Sequence, residues 1–170
     1  MIANLLIGGA VMMICLAIQC LFVGLTLGEL KMLKQRRLIH LSWYGAALIL
    51  IAVMSIILAG NLVQISLWAG LFVWLGEWGD FSTAFYHSVV NFSTLGYGDL
   101  VMSSKRRLLG ALEALNGVLM IGLSTSLLFA VLSKMMQDAW ASMETLATMP
   151  GKKHTNDTVD KQLDKPGIGK

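Results

Sequence analysis

Long uninterrupted apolar runs dominate the chain, and a few polar positions punctuate them. Residues 1–28 carry no charged side chain, and neither do residues 41–76. A helix crosses a ~30 Å hydrocarbon core with roughly 20 apolar residues, so the first run predicts a membrane helix over about Ile2–Leu27, within a segment 1–28. The second run is too long for one straight crossing, about 54 Å at ~1.5 Å per residue. It predicts an outer helix over 40–64 and then an interfacial segment over 65–80. A third run, Leu108–Leu132, is interrupted by Glu113 and Asn116 and predicts an inner helix over 108–133. Between the second and third runs lies an apolar stretch over 81–93, long enough to enter a bilayer and too short to cross it. The pattern predicts an all-α membrane protein with three transmembrane helices and a re-entrant element between the second and third.

Composition agrees. Of 170 residues, 56% are apolar and 14% charged, against about a quarter charged in soluble domains. Two cysteines exclude a disulfide-stapled scaffold. They lie five apart in one helix, about 140° around it, and cannot pair with each other. Cys20, Gly24 and Gly28 form a small-residue ladder that predicts where the first span packs. The chain begins Met-Ile-Ala-Asn with no basic stretch before the apolar run, so the first helix is expected to be retained rather than cleaved as a signal peptide.

Charge orients the spans. Lys31, Lys34, Arg36 and Arg37 fall in a basic loop over 29–39, and Lys134, Lys152, Lys153, Lys161, Lys165 and Lys170 follow the third run. Cytoplasmic loops carry the excess of Lys and Arg, so the expected protein is multi-pass in the cell membrane, N-terminus outside and C-terminus cytoplasmic. Lys105, Arg106 and Arg107 lie on the opposite side and oppose this orientation, but they are outnumbered. Trp43 and Trp140 are expected at the inner interface, and Trp68, Trp74 and Trp78 at the outer one.

The stretch from Asp80 to Asp99 carries the chemistry. Asp80 is a good N-cap, and Phe81 to Phe92 follows with apolar and small residues at helical spacing. Gly96 and Gly98 then flank Tyr97, a pattern no helix favours. Non-helical backbone at membrane depth is tolerated only where protein buries it or water meets it. A half-helix leading into a glycine-punctuated strand therefore predicts a loop beside a water-accessible path. Alternating glycines adopt backbone angles closed to other residues, which lets successive carbonyls from Thr94 to Gly98 point one way and replace the hydration shell of a cation.

Thr94-Leu95-Gly96-Tyr97-Gly98-Asp99 resembles the selectivity filter of the potassium channel family. Ala84-Phe85-Tyr86-His87-Ser88-Val89-Val90 resembles its pore helix, and Asn116-Gly117-Val118-Leu119 its inner helix around the gating glycine. With the outer helix, the resemblance covers roughly 40–133, a small prokaryotic two-helix pore module preceded by one extra helix. Three departures stand out: Leu95 where the family has Val, His87 at a usual aromatic position, and no Pro soon after Asp99. The resemblance implies a homotetramer in the lipid bilayer, with no cofactor other than K+ as the bound and permeating ion, and no nucleic-acid partner. It implies K+ sites at Thr94, Leu95, Gly96 and Tyr97, with Gly98 completing the filter over 94–99 and Asp99 at the outer mouth.

Around that filter, Tyr97 is expected to brace the strand or to anchor at the interface. Glu113 is an ionisable residue inside a span and reads as functional, with a partner to be named. Asn91, His87 and Tyr86 are its candidate partners behind the filter, and snorkelling to the headgroups is the alternative. Val118, Ile121, Thr125 and Phe129 share one helical face, which by the resemblance lines the cavity, with Phe129 near the gate, or else packs between subunits. Gly117 is either a hinge or a packing residue. His87 is either a sensor of external pH or a buried neutral ring. Lys105, Arg106 and Arg107 form an outer basic ring or contact headgroups.

The same reading excludes other devices. No span carries basic residues at every third position, as a voltage sensor would. The stretch over 134–149, with Met136, Trp140, Met143 and Ala147 at helical spacing, predicts a cytoplasmic helical extension or an interfacial helix, and 150–170 a flexible tail. Those final segments are too short for a regulatory domain. No nucleophile has a companion base nearby, so an enzyme is not expected. The sequence thus points to a potassium-selective channel. A non-selective cation channel and a non-conducting scaffold or auxiliary subunit are the alternatives.

Overall fold

A computed structural model describes residues 1–35 and 43–148. Four helices follow in order: α1 (Ile2–Gln35), α2 (Trp43–Trp74), α3 (Phe81–Phe92) and α4 (Arg107–Thr148). Three of them contain apolar stretches long enough to cross a membrane, Ile2–Gly28, Tyr44–Trp74 and Arg107–Ala141. With 12 residues, α3 measures about 18 Å and falls short of a ~30 Å core.

Three boundaries differ from those the sequence predicts. The outer helix does not stop at Gln64 but continues to Trp74. The run has no proline or glycine cluster to end it, and Gln64 finds a partner inside the protein instead of facing water. The predicted basic loop over 29–39 is helical as far as Gln35, because Glu29-Leu-Lys-Met-Leu-Lys-Gln is made of strong helix formers; Arg36 and Arg37 lie outside the described residues. The inner helix begins at Arg107 and runs without a break to Thr148, which absorbs the predicted extension; the tail over 150–170 lies outside the described residues.

The principal core gathers Val11 and Cys15 of α1, Ile65, Trp68 and Phe72 of α2, Phe92 of α3 and Leu109 and Met120 of α4. Trp68 is therefore not a member of an aromatic belt. It is fully buried and packs its ring against Phe72 at 5.8 Å. Trp74 is exposed, as an interfacial residue requires. A second cluster joins Ile49 and Val53 of α2 to Val131 of α4. From Gln137 the chain forms a separate unit, helical through Thr148.

The first helix packs on a face that the small-residue ladder did not mark. Among the described residues, nothing lies within contact distance of a side chain placed at Gly24 or Gly28, and Cys20 is exposed. The face in use carries Gly8, Val11, Cys15, Gln19 and Thr26, all buried, with Asn4 and Phe22 in register. These positions are spaced 4, 3, 4, 4, 3 and 4 apart, an average of about 3.7 residues that keeps them on one face of a nearly straight helix of ~3.6 residues per turn. Gly8 lets the Leu112 and Leu109 side chains of α4 approach, and Gly60 of α2 receives the Phe22 ring. In a chain apolar on every side, polar and small residues mark the inward face.

Candidate functional site

The site is built on α3. Asp80 caps it: in extended conformation, its carboxylate accepts the Thr83 amide at 2.7 Å, which holds the carboxyl below its usual range. The other end closes in an unusual way. Ser93 is the C-cap, and Thr94 follows with φ 61°. The Thr94 amide donates to the Asn91 carbonyl at 2.9 Å and the Leu95 amide to the Val90 carbonyl at 3.0 Å. That pair of bonds is a Schellman closure, in which glycine normally takes the left-handed position. Here a β-branched threonine takes it, a conformation costing about 1–2 kcal/mol outside glycine.

The left-handed angle recurs at every second residue. Gly96 has φ 57° and Gly98 has φ 76°. Thr94, Gly96 and Gly98 thus alternate with Leu95 and Tyr97, as the glycine spacing predicts. The Gly96 amide also turns back to the Val90 carbonyl, at 3.3 Å. Among the described residues, no donor reaches a carbonyl oxygen of Thr94, Leu95, Gly96, Tyr97 or Gly98. Helix α3 satisfies its terminal carbonyls with amides from the strand, and the strand's own carbonyls remain free to bind.

The strand's other end is tied to the same helix. The Tyr86 hydroxyl donates to Asp99 Oδ2 at 2.8 Å. Beyond it, Glu77 accepts both the Ser103 hydroxyl, at 2.7 Å, and the Ser103 amide, at 3.0 Å, and lies 3.5 Å from Arg106 Nε. Burial opposes the charge on Glu77, but these donors outweigh it and hold the carboxyl below its ordinary value. Arg106 is thereby engaged within the chain instead of forming part of a free basic ring. Asn4 of α1 donates to the Lys105 carbonyl at 2.7 Å.

Glu113 is fully buried and does not snorkel. Of its three candidate partners only Asn91 reaches it: Asn91 Nδ2 lies 2.7 Å from Glu113 Oε2 and 2.6 Å from the Gly110 carbonyl. Tyr86 is committed to Asp99. The His87 ring packs between Trp78, at 5.3 Å, and Phe72, at 5.6 Å, with Nδ1 unpartnered. Among the described residues, Glu113 Oε1 and the Ser88 hydroxyl are likewise buried without partners, and Ser88 is a neighbour of this carboxyl group that the sequence did not single out.

Gly117 is a contact residue: a Cβ there would collide with the Phe92 carbonyl. Its absence lets α4 lie against the last turn of α3. Val118, Ile121, Thr125 and Phe129 occupy the opposite, exposed face, Phe129 at 71%. The Thr125 hydroxyl donates to the Ile121 carbonyl at 2.9 Å. Leu95 and Tyr97 are also exposed, at 55% and 67%.

Residues 60–134 match the family model described as Ion channel. This part of the chain is similar to the ion-channel family. The matched stretch runs from the middle of α2 through α3 and the alternating strand into α4, and it leaves out α1. Searches of curated proteins and of solved structures find no match. The matched stretch is the part of the chain whose local geometry has just been described, and α1, outside it, packs on it.

Proposed function

We propose that the protein is a potassium-selective channel in which four copies surround one axis and pass K+ through the carbonyls of Thr94 to Gly98. The observation that carries this reading is the left-handed alternation at Thr94, Gly96 and Gly98 with carbonyl oxygens that, among the described residues, no donor reaches. Such oxygens replace water around a dehydrated cation. One chain supplies one strand and has no internal repeat, so closure of the path requires further copies. The exposed side chains of Leu95, Tyr97, Val118, Ile121 and Phe129 form the surface that those copies would cover or that would line the path. In this arrangement α3 is re-entrant, its C-terminal dipole directed toward the ion, and Asp99 stands at the outer mouth. The distribution of Lys and Arg supports an extracellular N-terminus.

Flux into liposomes containing the purified protein tests the reading. Potassium uptake that barium blocks, with little sodium uptake, is the expected result. Equal sodium uptake would replace the reading with a non-selective cation channel, which Leu95 in the place of Val makes the nearest rival. Absence of flux from intact tetramers would overturn conduction altogether.

A further inference from the structure

The matched channel module omits α1, yet α1 inserts a side chain between the two spans of that module. Gln19 is buried in α1. Its Oε1 accepts from Gln64 Nε2 of α2 at 2.7 Å, and its Nε2 donates to Ser124 Oγ of α4 at 3.0 Å. The Ser124 hydroxyl passes the chain on to the Met120 carbonyl at 2.8 Å. Turning both amides over reverses the donors and keeps both interhelical bonds, so the bridge survives either assignment of amide oxygen and nitrogen. Gln64 and Ser124 are also buried, and in a bilayer neither has water to fall back on.

We propose that Gln19 is a positioning residue that holds α4 in register with α2, which makes α1 a part of the gating machinery. The proposal rests on the conduction reading above for its consequence, though the bridge itself does not. Any displacement of α4 along or away from α2 near Ser124 must break the Gln19–Ser124 bond or drag α1 with it. Above the bridge, Gly8 seats Leu112 of α4, and Asn4 holds the Lys105 carbonyl just before α4 begins; α1 therefore follows the start of α4 as well as its middle.

The test is a double-mutant cycle on Gln19→Leu and Ser124→Ala in the full-length protein in liposomes, read in two ways. In single-channel recordings, each substitution is expected to shift the closed–open equilibrium by about 3- to 20-fold per subunit, with ion selectivity unchanged. The double variant is expected to behave like Gln19→Leu alone. Backbone hydrogen exchange over 116–128 supplies the second reading and needs no conduction: protection there should fall in either single variant and fall no further in the double. Additive effects in the exchange cycle would overturn the bridge. Unchanged open probability together with non-additive exchange would leave the bridge and overturn its role in gating. Loss of flux in the unsubstituted protein would overturn conduction, and with it the gating role, while the exchange cycle still decides the bridge. Ser124→Ala removes one hydroxyl without adding volume, so if Gln19→Leu fails to fold, unchanged exchange over 116–128 in Ser124→Ala alone would overturn the bridge and reduced protection there would support it.

Discussion

Asn91 and Glu113 face each other across the junction of α3 and α4, amide nitrogen to carboxylate oxygen at 2.7 Å, with the same nitrogen 2.6 Å from the Gly110 carbonyl. One amide thus joins the helix that carries the strand to the helix that follows it. A buried carboxyl oxygen that loses its donor costs about 1–3 kcal/mol, so Asn91→Ala is expected to lower stability by that amount. Glu113→Gln keeps an oxygen to accept the same bond and should cost less than half as much. Thermal unfolding of the detergent-solubilised protein compares the two; equal losses would refute the assigned pairing.

Gly117→Ala places a methyl against the Phe92 carbonyl. Because the obstacle is backbone rather than a flexible side chain, α4 must move, at a cost of about 1–3 kcal/mol. Gly122→Ala, with open space around it, is expected to cost nothing. A pair of melting curves distinguishes contact from hinge, since a hinge role alone would leave the stability of Gly117→Ala near that of the parent.

The alternating backbone predicts opposite responses at neighbouring positions. Gly96→Ala and Gly98→Ala force a Cβ into left-handed conformation and should each cost about 1–2 kcal/mol and abolish potassium flux. Thr94→Gly relieves the same strain, so its stability should equal or exceed the parent's within about 1 kcal/mol, while the lost hydroxyl reduces flux. A marked destabilisation by Thr94→Gly would contradict the strain argument.

Glu77 gives the fold a pH dependence of known sign. Its carboxyl titrates lower in the folded protein than in the unfolded chain, so its contribution is complete above the unfolded value of about 4.3. That contribution fades as the pH falls through the folded value. Melting temperatures from pH 7 down to 3 should therefore drop less steeply in Glu77→Gln than in the parent, at the expense of a lower starting stability. Parallel curves would remove Glu77 from the account.

The sequence made α3 and its strand readable because both ends are marked by local chemistry: an aspartate whose only helical role is to cap, and glycines at the spacing where left-handed angles recur. Thr94 was not readable as the closing residue of the helix, since that position ordinarily announces itself with glycine. The course of α2 past Gln64 was hidden for a different reason. A polar residue in an apolar run signals either the membrane boundary or a buried partner, and only the neighbouring Gln19 decides which. The inward face of α1 was obscured because apolar residues surround the helix, leaving its Asn, Gln and Thr on one helical face as the one usable signal. Glu113 was recognisable as an anomaly with Asn91 among three candidate partners, but which of the three reaches it, and that Ser88 stands beside it, required the structure.

The Val90 carbonyl receives the amides of Leu95 and Gly96, at 3.0 and 3.3 Å, and the hydroxyl of Ser93, at 3.2 Å, while Tyr86, one turn earlier on the same helix, grips Asp99. Both ends of the strand are thus fastened to a single short rod, like a string stretched across its own bow. Sliding the strand past α3 would require releasing both fastenings together, whereas turning one peptide plane between them requires neither. The motion this construction leaves inexpensive is torsional, confined to the few peptide groups from Gly96 to Gly98.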